Sequence, residues 1–206
     1  MNENVQKYCL ENPEIADLFK TLNQHGIRWG IFAGAAASLL TSNRLPTDID
    51  ILVHNEDFNT LVSLFPDAGM VIGMTGTAQT SDSKTLHYEC DNIGFMVGDI
   101  ELDISSNLQE TVDDNNHILH LTDLATDNRI SITAPSTTVY ITNPFDTIAI
   151  KSIMQRGREQ DKFDFPDSQS IISNCNMDQN YINSRMTEIS LTDREIQFLQ
   201  KAGLNI

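Results

Sequence analysis

Basic side chains are scarce in this sequence. Of 206 residues only 13 are Lys or Arg, against 29 Asp or Glu, and the net charge is −16. The deficit is uneven: residues 1–142 hold 6 of the basic and 20 of the acidic side chains, and residues 143–206 hold the other 7 and 9. A field of this sign repels polyphosphate backbones unless a local basic patch or a metal intervenes; it favours cationic small molecules, metal ions or basic protein partners. Cysteine is nearly absent as well. Cys9, Cys90 and Cys175 are odd in number and far apart, which excludes a C-x-x-C zinc or redox pair and a disulfide framework and leaves reduced, mostly buried thiols. No apolar run approaches the roughly 18 residues that span a bilayer. The N-terminal stretch "MNENVQKYCLENPEIADLF" has no basic head followed by an apolar segment. The expectation is a soluble, cytoplasmic protein with no membrane association.

Several motifs are missing too. The five histidines show neither H-E-x-x-H nor zinc spacing, and no G-x-S-x-G, P-loop or G-x-G-x-x-G occurs. Hydrolase triads, P-loop NTPases and dinucleotide-binding enzymes are therefore unsupported. No internal repeat or low-complexity tract is present.

What is there reads as an α+β chain of one domain with a helical extension. Ile15, Leu18, Phe19 and Leu22 recur at helical spacing up to Gly26. "IRWGIFAG" (27–34) predicts a buried strand, "AAASLL" a short helix and "TSNRLPT" a loop. "DIDILVH" (48–54) predicts a second strand, followed by a helix to about Phe65. The middle is β-rich: "MVIGM", "TLHYEC", "IGFMV" and "DIELDIS" all look extended, with 75–84 expected as a mobile loop. "RISIT" and "TTVYIT" form a predicted hairpin around Pro135. Asn143 and Pro144 start a helix, and Thr192 with Glu195 makes a capping box for the last one. The boundary falls near residue 142: 1–142 as the α+β core, 143–206 as a helical segment packed on it.

The chemistry lies in three carboxylates. In a strand, side chains i and i+2 point the same way. Asp48 and Asp50 therefore share one face, while Ile49 and Ile51 turn to the core. Two like charges so placed repel unless something positive sits between them, and Mg²⁺ or Mn²⁺ with hard oxygen ligands is the natural occupant. In "GDIELDIS" (98–105) Ile100, Leu102 and Ile104 alternate with Asp99, Glu101 and Asp103. If that strand lies beside "DIDILV" it adds a third carboxylate, Asp103 by preference and Glu101 otherwise. In the tail, Lys151, Arg158 and Lys162 are spaced seven and four apart and would share a face if one helix ran through them.

Gly34 before a small-residue helix, then Asp48-Ile49-Asp50, then Leu102-Asp103-Ile104 resembles the DNA polymerase β-like nucleotidyltransferase superfamily. "R-L-P-T-D-I-D-I", with Arg44 and Thr47 just before the acidic pair, adds to the likeness. "NPFDTIAIKSIMQRGREQDKFDFPD" (143–167) resembles the corresponding segment of AbiEii-like and toxin–antitoxin minimal nucleotidyltransferases, with Lys151, Arg158, Asp161 and Asp164 at the matching positions. The resemblance implies a mixed sheet flanked by helices and transfer of an NMP from an NTP. Asp48, Asp50 and Asp103 would be the catalytic metal ligands. Gly34, Ala35, Ser38, Arg44, Thr47, Lys151 and Arg158 would hold the nucleotide. The acceptor would be a hydroxyl on a small molecule, a protein or tRNA, in a toxin–antitoxin or phage-defence setting. The family's Gly-Gly or Gly-Ser is matched here to Gly34-Ala35. Ala35 has no hydroxyl to donate, which leaves only backbone N–H groups for a phosphate. A rival expectation follows: a catalytically degenerate module of the same fold that holds a basic partner.

Overall fold

The computed structural model describes residues 12–41, 44–46 and 48–206. Asn12 opens helix α1 (Pro13–Gln24) by accepting the Glu14 N–H at 3.0 Å, and Ile15, Leu18, Phe19 and Leu22 form its buried stripe. Strand β1 (Trp29–Ile31) follows, with all three residues buried. Trp29 stacks on Phe19 at 4.8 Å and donates its indole N–H to Asn23. Next come α2 (Ala33–Leu40), β2 (Asp48–Val53) and α3 (Phe58–Leu64). The β-rich middle holds β3 (Gly69–Gln79), β4 (Thr85–Val97), β5 (Ile100–Val112) and β6 (Asn115–Ile118). After α4 (Asp123–Asp127), β7 (Ile130–Thr133) and β8 (Thr138–Ile141) form the antiparallel hairpin expected around Pro135. Helices α5 (Pro144–Met154), α6 (Asp164–Asn174), α7 (Gln179–Ile189) and α8 (Asp193–Ala202) complete the chain.

The strands make one mixed sheet in the order β3-β4-β5-β2-β1-β8-β7. β2 with β5 and β1 with β8 are parallel, and the other pairs are antiparallel. Beyond the reach of β2, β6 takes up the free edge of β5 at residues 109–112. Two apolar clusters flank the sheet. One joins α1 and α3 to the central strands; the other joins Phe32, Leu52, Leu86 and Leu108 to Ile148, Ile182 and Leu199 of the C-terminal helices. No helix among the described residues is long and apolar enough to cross a membrane.

The sequence reading fails in two places. Residues 75–79 belong to β3, and the remaining turn is pinned: Ser81 N–H donates to the Gln155 carbonyl at 2.8 Å, and Arg194 holds the Asp82 carboxylate at 2.9 and 3.0 Å. The small and polar residues of "TGTAQT" carry little apolar signal because this strand lies at the sheet edge with most of its surface exposed. The C-terminal helix does not run through residue 162. It stops at Met154, Gln155 adopts a left-handed backbone (φ 43°), and a 3₁₀ turn follows at Arg158–Gln160.

Candidate functional site

A cleft of about 540 Å³ opens between the sheet, the start of α2 and the tail. Its floor comes from the β1–α2 turn. β1 ends at Ile31, and the chain turns into α2 through Ala33 in the left-handed region (φ 52°), a conformation that costs an L-residue about 1–2 kcal/mol. The Phe32 N–H just before it donates to the Asp50 carbonyl at 2.9 Å, which fixes the helix start against the acidic strand. At Gly34 an added Cβ would meet nothing within 4 Å, so this backbone faces open space in the cleft. One turn on, Ser38 lines the cleft with its hydroxyl buried and without a hydrogen-bond partner.

Ala35 is a correction. Its side chain is fully buried in the apolar cluster and does not line the cleft, because successive helical residues turn by about 100°. The pair that makes the turn is Ala33-Gly34. Thr47 lies outside the described residues, as does Cys9.

The acidic face is assembled by strand pairing. In the parallel β2–β5 register Asp50 lies opposite Asp103, and Asp48 opposite Glu101. Asp48, Asp50 and Asp103 line the cleft; Glu101, exposed near the start of β5, does not. Asn92 on β4 donates to Asp103 Oδ1 at 3.4 Å and to the Ser105 hydroxyl at 3.2 Å. Gly94 leaves room beside the same carboxylate, since a Cβ there would come within 3.2 Å of Oδ1. The Asp50 carboxyl is pushed up to about 7, first by burial and then by the charges of Asp48 and Asp103; Arg156 and Lys162 pull the other way.

The opposite flank is basic. Lys151, only 5% exposed, is held by Asp164 at 3.3 Å and Asp167 at 2.9 Å, both on the first turn of α6. Arg44 reaches Asp167 at 3.0 Å and lies over the Phe163 ring, and Arg156 reaches Asp164 at 3.1 Å. Three cations thus meet two carboxylates along the cleft, and Lys162 lines it as well. Arg158 does not: it is exposed on the 3₁₀ turn outside the cleft lining, because α5 ends before it. Arg156, two residues earlier, occupies the cleft instead. Asp161 lines the cleft rim. His54 stands apart from the acidic face, beside Asp123 at 3.3 Å.

Four lining residues with a part in the site escape the sequence reading: Asn92, Glu110, Arg156 and Asp167. Asn92 carries no motif. Glu110 had one available signal: it occupies the inward parity of "LQETV" between Leu108 and Val112, where a charge is out of place.

A divalent cation fits this donor set in one particular way. Among the described residues no three His, Cys, Asp or Glu side chains form a ready-made metal cage. Mg²⁺ does not need one, since it binds through one or two carboxylates and completes its shell with water and phosphate oxygens. Asp50 and Asp103, in register on neighbouring strands, offer hard oxygen donors on one wall of the cleft, and the open Gly34 backbone with the unpartnered Ser38 hydroxyl gives a polar cradle alongside.

No protein-family profile and no curated protein matches this sequence. Among solved structures it is similar to an antigenic nucleotidyltransferase-like protein from Paracoccidioides brasiliensis, at 14% identity and a TM-score of 0.48 over 100% of this chain and 96% of that one. It is also similar to a candidate nucleotidyltransferase from Thermotoga maritima, at 13% identity and a TM-score of 0.44 over 63% of this chain and 74% of that one.

Proposed function

We propose that the protein is a metal-dependent nucleotidyltransferase that moves an NMP from an NTP to a hydroxyl group. The observation that carries this reading is the parallel register that sets Asp103 beside Asp50, with Asp48 on the same strand face, across a cleft from Arg44, Lys151 and Arg156. A triphosphate needs metal on one flank and guanidinium or ammonium groups on the other.

Asp48 and Asp50 would hold Mg²⁺ or Mn²⁺, with Asp103 completing the set. The bound ion supplies Lewis-acid polarisation of the phosphate oxygens. The chain's own groups do the rest. The N–H groups around Gly34 and the Ser38 hydroxyl donate to phosphate oxygens. Asp103, oriented by Asn92, takes the proton of the acceptor hydroxyl as its oxygen attacks the α-phosphorus. The basic flank faces the departing pyrophosphate. The acceptor is a hydroxyl of a small molecule, a protein or tRNA. The AbiEii-like tail resemblance supports a toxin–antitoxin or phage-defence setting.

The deciding experiment is transfer of labelled NTP, each of the four nucleotides in turn, to cell extract by wild type and Asp48→Ala. Label appearing with wild type alone is expected. In parallel, Mg²⁺·NTP at a hundred times its Kd should stabilise the fold by about 2.7 kcal/mol, read as a thermal shift. Label transferred equally by both proteins would refute the site. Absence of any nucleotide response would favour the second reading, a catalytically silent module for a basic partner.

Gly34→Ala separates binding from folding. The added methyl meets no protein atom, and alanine is a better helix former, so stability should hold or rise by up to about 1 kcal/mol. Nucleotide affinity should fall about tenfold or more as the methyl enters the phosphate cradle. Unchanged affinity in a titration of Mg²⁺·NTP would remove Gly34 from the nucleotide site.

A further inference from the structure

Glu110 is not used by the mechanism above. It is 1% exposed, its Oε2 has no hydrogen-bond partner, and it lines the inner end of the same cleft. It shares that lining with six residues of one apolar cluster: Met74, Tyr88, Cys90, Leu108, Ile150 and Met154. Two structural details aim it there. Asn107 adopts a left-handed backbone (φ 53°) in β5. The β4–β5 register also shifts between Glu89 and Asp91, so that Leu108 and Glu110 face the cleft on the opposite parity from Asp103 and Ser105. Tyr88, the register partner of Glu110 on β4, lies against Gly76, where a Cβ would come within 2.2 Å of the ring.

The groups around Glu110 leave it uncompensated. On β6 its register partner His117 is turned to the Ser190 carbonyl at 3.1 Å. From the tail, Arg156 attracts it but is bonded to Asp164, whose own charge repels it. On β4, Cys90 and Tyr88 are neutral. Burial with no cation bonded to it keeps this acid protonated, its Oε2 unpartnered, and only a bound cation favours the ionised form. A neutral ligand would fill the apolar space and leave the acid protonated.

We propose that the inner end of the cleft is a subsite for an amine carried on an apolar body, its ammonium group paired with the Glu110 carboxylate. That this amine belongs to the acceptor of NMP transfer rests on the proposed function; the pairing itself does not. The acceptor class is then a cationic small molecule with a hydroxyl group. Because Glu110 is held protonated up to about pH 8 by its burial, capture of an ammonium near neutral pH releases a proton.

Benzylamine hydrochloride and its neutral counterpart benzyl alcohol are titrated calorimetrically into the full chain, without nucleotide, in buffers of different ionisation enthalpy. Wild type should bind the amine saturably and at least about tenfold tighter than the alcohol, with a heat that varies with the buffer. Glu110→Gln should lose both the preference and the buffer dependence. Glu110→Met, which keeps the volume and removes the buried acid, should do the same if the glutamine variant folds poorly. No saturable amine binding by wild type, equal binding of amine and alcohol, or unchanged amine affinity in both variants would overturn the subsite. The Mg²⁺·NTP thermal shift of wild type is read alongside. Amine binding without a nucleotide response would remove nucleotidyl transfer and leave the subsite standing; the reverse would remove only the subsite.

Discussion

Asp50→Asn is expected to abolish NMP transfer and, at the same time, to stabilise the unliganded protein above neutral pH. The two effects have one cause. Asp50 is half-buried, beside Asp48 on its own strand and opposite Asp103 on β5, and its carboxyl is pushed up to about 7. A carboxyl whose pKa is higher folded than unfolded holds a proton in the native state that the unfolded chain has already released. Stability therefore falls as pH rises from the unfolded value of 3.8 to about 7, and the loss is complete above that. Glu110, pushed up to about 8 by burial, acts in the same direction. His117 and His120, both pulled down by burial, oppose it below the ordinary histidine value of 6.5. Unliganded stability should thus decline from about pH 6 to about pH 8. Asparagine keeps the shape and removes the charge, so the variant should show a shallower decline and a higher Tm at the alkaline end. Its transfer rate should drop by at least about a thousandfold, on the scale of losing a principal electrostatic group in an active site. Thermal melts across this pH range with a labelled-NTP assay check both. A variant that is destabilised at about pH 8, or that still transfers, contradicts the account of Asp50.

Lys151→Ala should be the most destabilising single change at the site. The ammonium is the shared partner of two nearly inaccessible carboxylates, Asp164 and Asp167. Removing one member of a buried ion pair costs about 3–5 kcal/mol, because the other charge stays buried and unpaired. Arg156 and Arg44 also reach these acids, which places the expected loss toward the lower end of that range. A denaturant titration measures it. A loss under about 1 kcal/mol, typical of an exposed pair, would mean that the ammonium is not the keystone of this cluster. The triple variant Lys151→Met with Asp164→Asn and Asp167→Asn should recover part of the loss, since no unpaired charge stays fully buried and the guanidinium groups of Arg44 and Arg156, which lose their acids, are both partly exposed to water. Any fall in nucleotide affinity that persists in a folded triple variant then reports the electrostatic contribution of the flank.

The parts of this fold that sequence reveals are those governed by short-range pattern. Asp48 and Asp50 at i and i+2, and the strict alternation from Ile100 to Ile104, predict faces, and the observed register brings Asp103 to Asp50. The capping box at Thr192 and Glu195 is present as spacing predicts. The failures come from longer range. Where α5 ends is decided by Gln155 entering the left-handed region beside the docked β3–β4 turn, so no periodicity in "KSIMQRGREQDK" announces that Arg156, and not Arg158, faces the cleft. Likeness to the family's Gly-Gly or Gly-Ser points to Gly34-Ala35, whereas in the structure the turn is at Ala33 and the Ala35 side chain enters the core. Glu110 stands out in "LQETV" as a charge at the parity of Leu108 and Val112, but that it faces the cleft follows only from the parity change within β5.

The positive flank of the cleft is gathered from residues 44, 151 and 156 and is held by acids at 164 and 167. During synthesis Asp50 leaves the ribosome about a hundred residues before Lys151, and Asp103 about fifty before it. Until α6 has docked, a nascent chain carries the acidic strands with Arg44 as the only basic group of that flank.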